Sequence, residues 1–420
     1  MFWLIEGENR FKEFCNRGFE EVFMDIIPLN HWQHSIENSI CAFYIRPIRE
    51  TKGYILPINH SECLNLFEDE VYLELKNFKK IYVRDKKDFL HYTILKPLID
   101  ITLTLPTYIP PKTQAHSFIY RQYDTRVDTN AIVPITKHYE VCEQIYDDLE
   151  HRVNQPVNNF YNNKATLVLN AIERSGIKID KDAFKKHFQR TPSNEYVYTS
   201  YNFKTLTTRP SNKYDGINYA ALPKENGCRE SFIPRNDGFV EYDISAYHPT
   251  LSGMLVDYDF GDNDIHKAFA SMYGVDYKKA KELTFKQLYG GVFKQYQDLP
   301  FFKLTSAYIQ IIWNEFQEEG KLVCPISNYV FEKDKLEDMN PQKLFNYVLQ
   351  NMETSVNIEI LFRIFKLLKG RNTKLVLYTF DAFLFDVDKD EEDVIDAIKQ
   401  VFNKFKLRIT EKNGLNYNFN

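Results

Sequence analysis

Three stretches of the C-terminal half decide the fold: Phe239-Val240-Glu241-Tyr242-Asp243-Ile244-Ser245, Lys281-Glu282-Leu283-Thr284-Phe285-Lys286-Gln287-Leu288-Tyr289-Gly290 and Leu375-Val376-Leu377-Tyr378-Thr379-Phe380-Asp381. The first and third each end an apolar, strand-like run on one aspartate. After the first, Pro249 suits the first turn of a helix beginning just after His248, which leaves Asp243 at a strand-to-helix exit facing a cleft. The third continues into Phe383-Leu384-Phe385-Asp386-Val387, so Asp381-Ala382 reads as the tight turn of a hairpin. A carboxylate in so apolar a hairpin is costly unless a cation or hydrogen bonds satisfy it. Two such carboxylates brought together suit Mg²⁺, and two ions about 3.5–4 Å apart activate a hydroxyl nucleophile and stabilise a leaving group. The ordinary alternative is that Asp381 only shapes its turn, where aspartate is a favoured residue.

The middle stretch is helical from Tyr277. Lys278, Lys281, Phe285 and Tyr289 step by three, four and four, which keeps all four on one face. Lysines at one end pair with phosphate oxygens as point charges, and aromatics further along stack on a base. Spacing alone favours the plainer reading, an amphipathic helix with its aromatics in the core and its lysines in water. Upstream, Asp264 is placed to cap a helix opening Asp264-Ile265-His266, where His266 either meets a phosphate or is simply solvated.

At 420 residues the chain is long enough for two or three domains, and 44% hydrophobic with 26% charged residues is a globular composition. The net charge of −5 provides no global basic field, so any nucleic-acid binding has to come from a local groove. Six scattered cysteines at no metal-ligand spacing read as reduced, mostly buried thiols. No apolar run approaches the ~18 residues of a membrane span, and the N-terminus lacks a signal-peptide pattern. The expectation is an intracellular, cytoplasmic protein (host cytoplasm if viral) without a membrane partner.

Along the chain, Glu21-Val22-Phe23-Met24-Asp25-Ile26-Ile27, Cys41-Ala42-Phe43-Tyr44-Ile45, Gly53-Tyr54-Ile55-Leu56-Pro57-Ile58 and Lys80-Ile81-Tyr82-Val83-Arg84 read as strands. Asp88-Phe89-Leu90-His91-Tyr92 opens a helix, making residues 1–150 an α/β domain. Thr107-Tyr108-Ile109-Pro110-Pro111-Lys112-Thr113 is a loop within it. Helical spacing over 158–175 stops at Gly176, and a further helix starts at Lys181. Residues 191–240 are irregular and polar, and a second α/β region runs to the C-terminus.

In this order, the motifs resemble those of family A (polymerase I type) DNA polymerases, closely over about residues 200–390. Asp243-Ile244-Ser245 resembles motif A and Phe380-Asp381-Ala382 occupies motif C, which implies that Asp243 and Asp381 are the catalytic metal ligands for two Mg²⁺ ions. Lys281, Phe285, Tyr289 and Gly290 match motif B, the lysine for the triphosphate and the aromatics for the incoming base and sugar. Asp264-Ile265-His266 matches an element whose histidine contacts the triphosphate. Thr207-Thr208-Arg209-Pro210-Ser211-Asn212 is similar to the family's Thr-Gly-Arg-Leu-Ser-Ser, implying that Arg209 touches the primer–template minor groove. Lys224 lies about where the family carries a phosphate-binding arginine, and Gln350, with Asn346 one turn before it, matches a duplex-contacting glutamine. The implied fold is α+β and multidomain. An RNase H-like (3′–5′ exonuclease-like) α/β domain over 1–150 precedes a reduced thumb with connecting helices over 151–200. A right-hand palm and fingers follow over 201–420, with the fingers at about 259–340.

The chain also departs from the family. The motif A glutamate falls on His248, so discrimination between sugars passes to Tyr247 and His248 or is altered. The motif C glutamate is Ala382, leaving two carboxylates rather than three. The arginine that starts motif B falls on Tyr277, with Lys278 as its substitute. In the exonuclease-like part the expected Asp-x-Glu is Asp25-Ile26-Ile27, with Asp88 or Asp100 for another ligand and no clear Tyr-x-x-x-Asp near Tyr139. These departures imply lost proofreading and, with little thumb, reliance on a processivity factor or other replisome protein, in a compact member like those of bacteriophages. Implied partners are primer–template DNA and dNTPs. Two other readings stay open. Asp243, Ser245, His248 and Tyr289-Gly290 also suit a single-subunit RNA polymerase of related fold, although Phe285, the His266 element and the Arg209 element favour DNA synthesis. The missing acids also fit a non-catalytic DNA-binding replication scaffold.

Overall fold

The computed structural model describes residues 3–30, 33–93, 95, 97–107, 129–190, 192, 194–214, 217–261 and 264–419. They form two compact units, one within Met1–Leu105 and Ile109–Asn170, the other within Pro106–Tyr108 and Ala171–Asn420. The loop expected over 107–113 lies outside the described residues from 108 onward. Among the described residues no helix is long and apolar enough to cross a membrane. All six cysteines are free, and Cys41, Cys142, Cys228 and Cys324 are buried.

The first unit is built on a mixed sheet of β1 (Glu21–Pro28), β2 (Ile40–Pro47), β3 (Tyr54–Pro57), β4 (Lys80–Val83) and β5 (Leu98–Asp100), in the order β3-β2-β1-β4-β5. β2 and β3 run antiparallel to their neighbours, whereas β4 and β5 run parallel to β1. Both faces are covered: Val22, Met24 and Ile26 enter one apolar cluster, and Phe23 and Ile27 enter the other. That is why β1 reads as an unbroken apolar run rather than an alternation. Helix α1 (Lys86–Tyr92) starts two residues before the expected Asp88, because the Asp85 side chain caps it by accepting from the Asp88 N–H. Helix α2 (Ile135–Leu149) covers the Phe23 face with Cys142, Ile145 and Tyr146. The helix expected over 158–175 is a π-helical stretch, Phe160–Ala165, running into α3 (Thr166–Ser175), and Gly176 ends it at φ 61°. The boundary between the units falls inside α3.

The second unit centres on an antiparallel sheet of β6 (Gly238–Ile244), β7 (Lys374–Thr379), β8 (Ala382–Val387) and β9 (Ile409–Gly414), in the order β7-β8-β6-β9. Over it lie α4 (Tyr247–Leu255), α5 (Ile265–Tyr273), α6 (Tyr277–Gly290), α7 (Pro300–Glu319), α8 (Pro341–Leu367) and α9 (Glu392–Lys404). Asn340 caps α8 by accepting from the Lys343 N–H, with Pro341 at its first position. α8 packs against α4, α6, α7 and α9 and so is buried nearly all round. Its polar residues Asn346, Gln350, Glu353 and Asn357, spaced four, three and four, form one seam along it.

Two local expectations are corrected. The hairpin turn is Phe380-Asp381 rather than Asp381-Ala382, because Thr379 pairs with Ala382 and closes the loop one residue earlier. Asn357 Nδ2 donates to the Phe380 carbonyl at 2.7 Å, and the Ile244 N–H donates to the Asp381 carbonyl at 2.9 Å, which fixes the turn against β6. Helix α4 starts at Tyr247 rather than after His248, with Ala246 as its N-cap at φ 50°.

β7 is an edge strand, and Tyr201 closes part of that edge with its side chain. Its hydroxyl accepts from the Tyr378 N–H at 2.8 Å and donates to the Tyr378 carbonyl at 2.9 Å. Asn212 Nδ2 makes a longer 3.3 Å contact to the same carbonyl, so Tyr201→Phe strands chiefly the Tyr378 N–H. The expected cost is about 1–3 kcal/mol, the price of a buried donor left without an acceptor. Urea denaturation followed by circular dichroism should show it, and an unchanged midpoint would refute this account.

Candidate active site

The register of the sheet assembles the centre of the site. Asp243 pairs with Ala382 across β6 and β8, which places it beside the turn carrying Asp381. Partial loss of hydration first, and then the charge of Asp243, push the Asp381 carboxyl up to about 6. Lys412 on β9 reaches toward the pair, with Nζ 2.7 Å from Glu241 Oε1 and 3.9 Å from Asp243 Oδ2. Asp381 is exposed and Asp243 half-buried, and a carboxylate whose charge is disfavoured beside a second one is the chemistry a divalent cation relieves, so the two aspartates fit Mg²⁺. Among the described residues no group of three or more ligand-type side chains surrounds one point, so an ion here would rest on this pair.

On α6, Lys278 and Lys281 are exposed, Phe285 is half-buried and Tyr289 is 37% exposed. Phe285 and Tyr289 stack at 5.8 Å, so the aromatic half of the ladder is a continuous face rather than core filling. Asp264 caps α5 by accepting from the Lys267 N–H, as its position in the sequence suggests. His266, next on α5, packs against Tyr277 and Phe285. Burial, then the charge of Lys281, push its pKa below the ordinary value, so at neutral pH it offers a neutral hydrogen-bonding ring. Among the described residues its buried Nδ1 has no partner.

Glu353, which the sequence reading missed, organises the rest. It is 2% exposed on α8, and its carboxylate accepts from His248 Nε2 at 2.6 Å and from Arg209 Nε at 3.0 Å. His248 Nδ1 meets the Tyr289 hydroxyl at 2.7 Å, and the Arg209 guanidinium lies 3.9 Å over the Phe380 ring. The signal that could have found Glu353 is the four-three-four polar seam of an otherwise apolar helix. Gln350 accepts from Thr207 Oγ1 at 3.0 Å and donates to Asn346 Oδ1 at 3.4 Å, so Arg209, Gln350 and Asn346 gather around the 207–212 element. Tyr247 is turned inward, its hydroxyl donating to Asn357 Oδ1 at 2.7 Å, and is not brought to the His248–Tyr289 contact. Lys224 is exposed on the loop before Gly227 and takes no part in these contacts.

Three turns that frame the site hold non-glycine residues in the left-handed region: Thr208 at φ 62°, Ala246 at 50° and Phe380 at 55°. Such conformations cost roughly 1–3 kcal/mol and persist only where surrounding contacts over-determine them. Asn351 supplies one of those contacts by donating to Thr208 Oγ1 at 2.9 Å, and Asn357 supplies another at the Phe380 carbonyl.

Among solved structures, the chain is similar to the polymerase domain of Pol1 from M. smegmatis, in complex with DNA primer–template and dNTP, with a TM-score of 0.72 over 99% of each chain. The fold matches that of a DNA polymerase domain. Sequence identity over the match is 12%, so what the two chains share is architecture. No protein-family model and no curated protein sequence matches this chain.

Proposed function

We propose that the chain is a template-directed DNA polymerase of the family A type that adds dNTPs to a primer 3′-hydroxyl. The observation that carries this reading is the β6–β8 register, which sets Asp243 beside Asp381. In this reading Asp243 and Asp381 hold two Mg²⁺ ions, which when bound would neutralise charge on the attacking and leaving oxygens. Lys281, with Lys278 and Lys224, draws in the triphosphate, and the buried Nδ1 of His266 waits for a donor or acceptor on it. Phe285 and Tyr289 present the stacking face for the incoming base, and Tyr289 is held through His248. Arg209, Gln350 and Asn346 face the primer–template. Positioning and charge neutralisation supply most of the rate in phosphoryl transfer.

The first unit is read as an RNase H-like domain that has lost proofreading, and its strand order with two antiparallel and two parallel junctions supports this. Its acids are already engaged. Asp25 Oδ2 lies 3.3 Å from Arg84 Nε, and Asp88 accepts from Ser35 Oγ at 2.5 Å. Asp100 accepts from the Lys86 N–H and from both the N–H and hydroxyl of Thr102. A short thumb region before the 207–212 element goes with low processivity and a helper protein, in a compact member of the kind familiar from bacteriophages.

One experiment tests both parts. A 5′-labelled primer annealed to template should lengthen only with Mg²⁺ and dNTPs, and should not shorten when dNTPs are withheld. NTPs in place of dNTPs separate the RNA polymerase reading. Binding without extension would replace the polymerase by a scaffold, and shortening without dNTPs would restore an active exonuclease.

A further inference from the structure

One buried carboxylate joins the helix that faces the nucleotide to the turn that carries Asp381. Five residues from five separate elements lie in series: Tyr289 of α6, His248 of α4, Glu353 of α8, Arg209 of the 207–212 element and Phe380 of the β7–β8 turn. Glu353 is the member that both sides share.

The chemistry of the contacts fixes where the protons sit. A carboxylate only accepts, so at the 2.6 Å contact the proton lies on His248 Nε2. In a neutral imidazole that leaves Nδ1 as an acceptor, and the Tyr289 hydroxyl must then donate to it across 2.7 Å. Burial pushes the Tyr289 phenol up to about 12, so at neutral pH that proton is present to be donated. The second carboxylate oxygen holds Arg209 Nε at 3.0 Å, with the guanidinium face on Phe380 and Asp381 next in the chain. A neutral side chain at 353 would leave a buried histidine without its fixed tautomer and the arginine without its ion pair.

We propose that Glu353 is a positioning residue of the polymerase reaction. It sets the tautomer of His248, thereby aims the Tyr289 hydroxyl, and holds the Asp381 turn through Arg209. The proposal rests on the polymerase reading, but its first readout does not.

The test is Glu353→Gln, whose amide both donates and accepts and so no longer dictates the tautomer. With ¹⁵N-labelled histidine, His248 should give the Nε2–H signature in the unaltered protein and a mixed or Nδ1–H signature in the variant. In primer extension the variant should lower kcat and raise KM for dNTP together, on the order of 10²-fold in kcat/KM, the cost of a small misplacement at a reacting centre. Tyr289→Phe, a change at a partly exposed position, removes only the hydroxyl. If Glu353 acts through that hydroxyl, the two substitutions combined should cost less than the product of their separate effects. An Nδ1–H signature in the unaltered protein, an unchanged signature in Glu353→Gln, or fully multiplicative effects would each overturn the proposal. Should Glu353→Gln fail to fold, an Nε2–H signature in the unaltered protein that persists in Tyr289→Phe, where Glu353 is intact, supports the proposal, and its loss in Tyr289→Phe overturns it. Absence of primer extension by the unaltered protein would overturn the polymerase reading and leave the tautomer result to judge Glu353 alone.

Discussion

Replacing Asp381 with alanine is expected to reduce Mg²⁺-dependent primer extension on the order of 10³-fold or more, because the charge stabilisation lost is worth several kcal/mol. Binding of primer–template should survive, since Arg209, Gln350 and Asn346 stand on other elements. The same residue makes a second, independent prediction about stability. Its carboxyl is raised in the folded protein to about 6 from 3.8. A raised pKa means that its stabilising contribution is complete below the unfolded value and is lost as pH rises through the folded one. Without metal, this group therefore favours the fold more at pH 4 than at pH 7. Asp381→Asn should remove that part of the pH dependence and raise the metal-free Tm at pH 7. Mg²⁺ should raise the Tm of the unaltered protein and do so far less for the variant. Normal extension by a folded Asp381→Ala protein would show that the metal site lies elsewhere.

The second large effect is expected at Lys281. Its ammonium is exposed on α6, and it is the second-largest influence on His266, so it sits where an approaching triphosphate would meet both. Lys281→Met should lower kcat/KM for dNTP on the order of 10²-fold, the scale of a lost charge-assisted contact. Lys281→Arg should recover part of it, since the charge is kept while the compact point geometry is not. The sign at His266 follows from the same charge. A neighbouring cation disfavours the imidazolium, so removing it should move the His266 pKa upward, which NMR titration reads directly. A His266 titration that does not move would separate the two residues and withdraw the shared phosphate site.

The strands, and the places of Asp243 and Asp381 at their ends, were legible because they rest on local pattern. β1, β2, β3 and β4 lie where apolar, β-branched runs stand between turn residues, Asp264 caps the helix it precedes, and a helix does start at Lys181. Errors fell where tertiary contacts override local signals. The hairpin closes one residue early because Thr379 finds Ala382, and nothing in Phe380 announces a left-handed turn. Tyr247 reads like a neighbour of the nucleotide in sequence, but Asn357 turns it inward. Glu353 was missed for a plainer reason. Its partners, His248 and Arg209, lie 105 and 144 residues away, and no spacing rule connects them. Burial of His266 likewise cannot be read from Asp264-Ile265-His266, although it is the main cause that lowers the ring's pKa.

The left-handed residues at 208, 246 and 380 set limits on anyone seeking a hardier version of this protein. Glycine at each position would relax the backbone, yet it would also free the three joints in the unfolded chain and loosen them in the folded one. Thr208→Gly would in addition discard the hydroxyl that Asn351 holds. Thermal hardening is therefore better sought in the sheet of the first unit, which holds none of these joints, because around Asp243 and Asp381 resistance to heat and accuracy of placement pull in opposite directions.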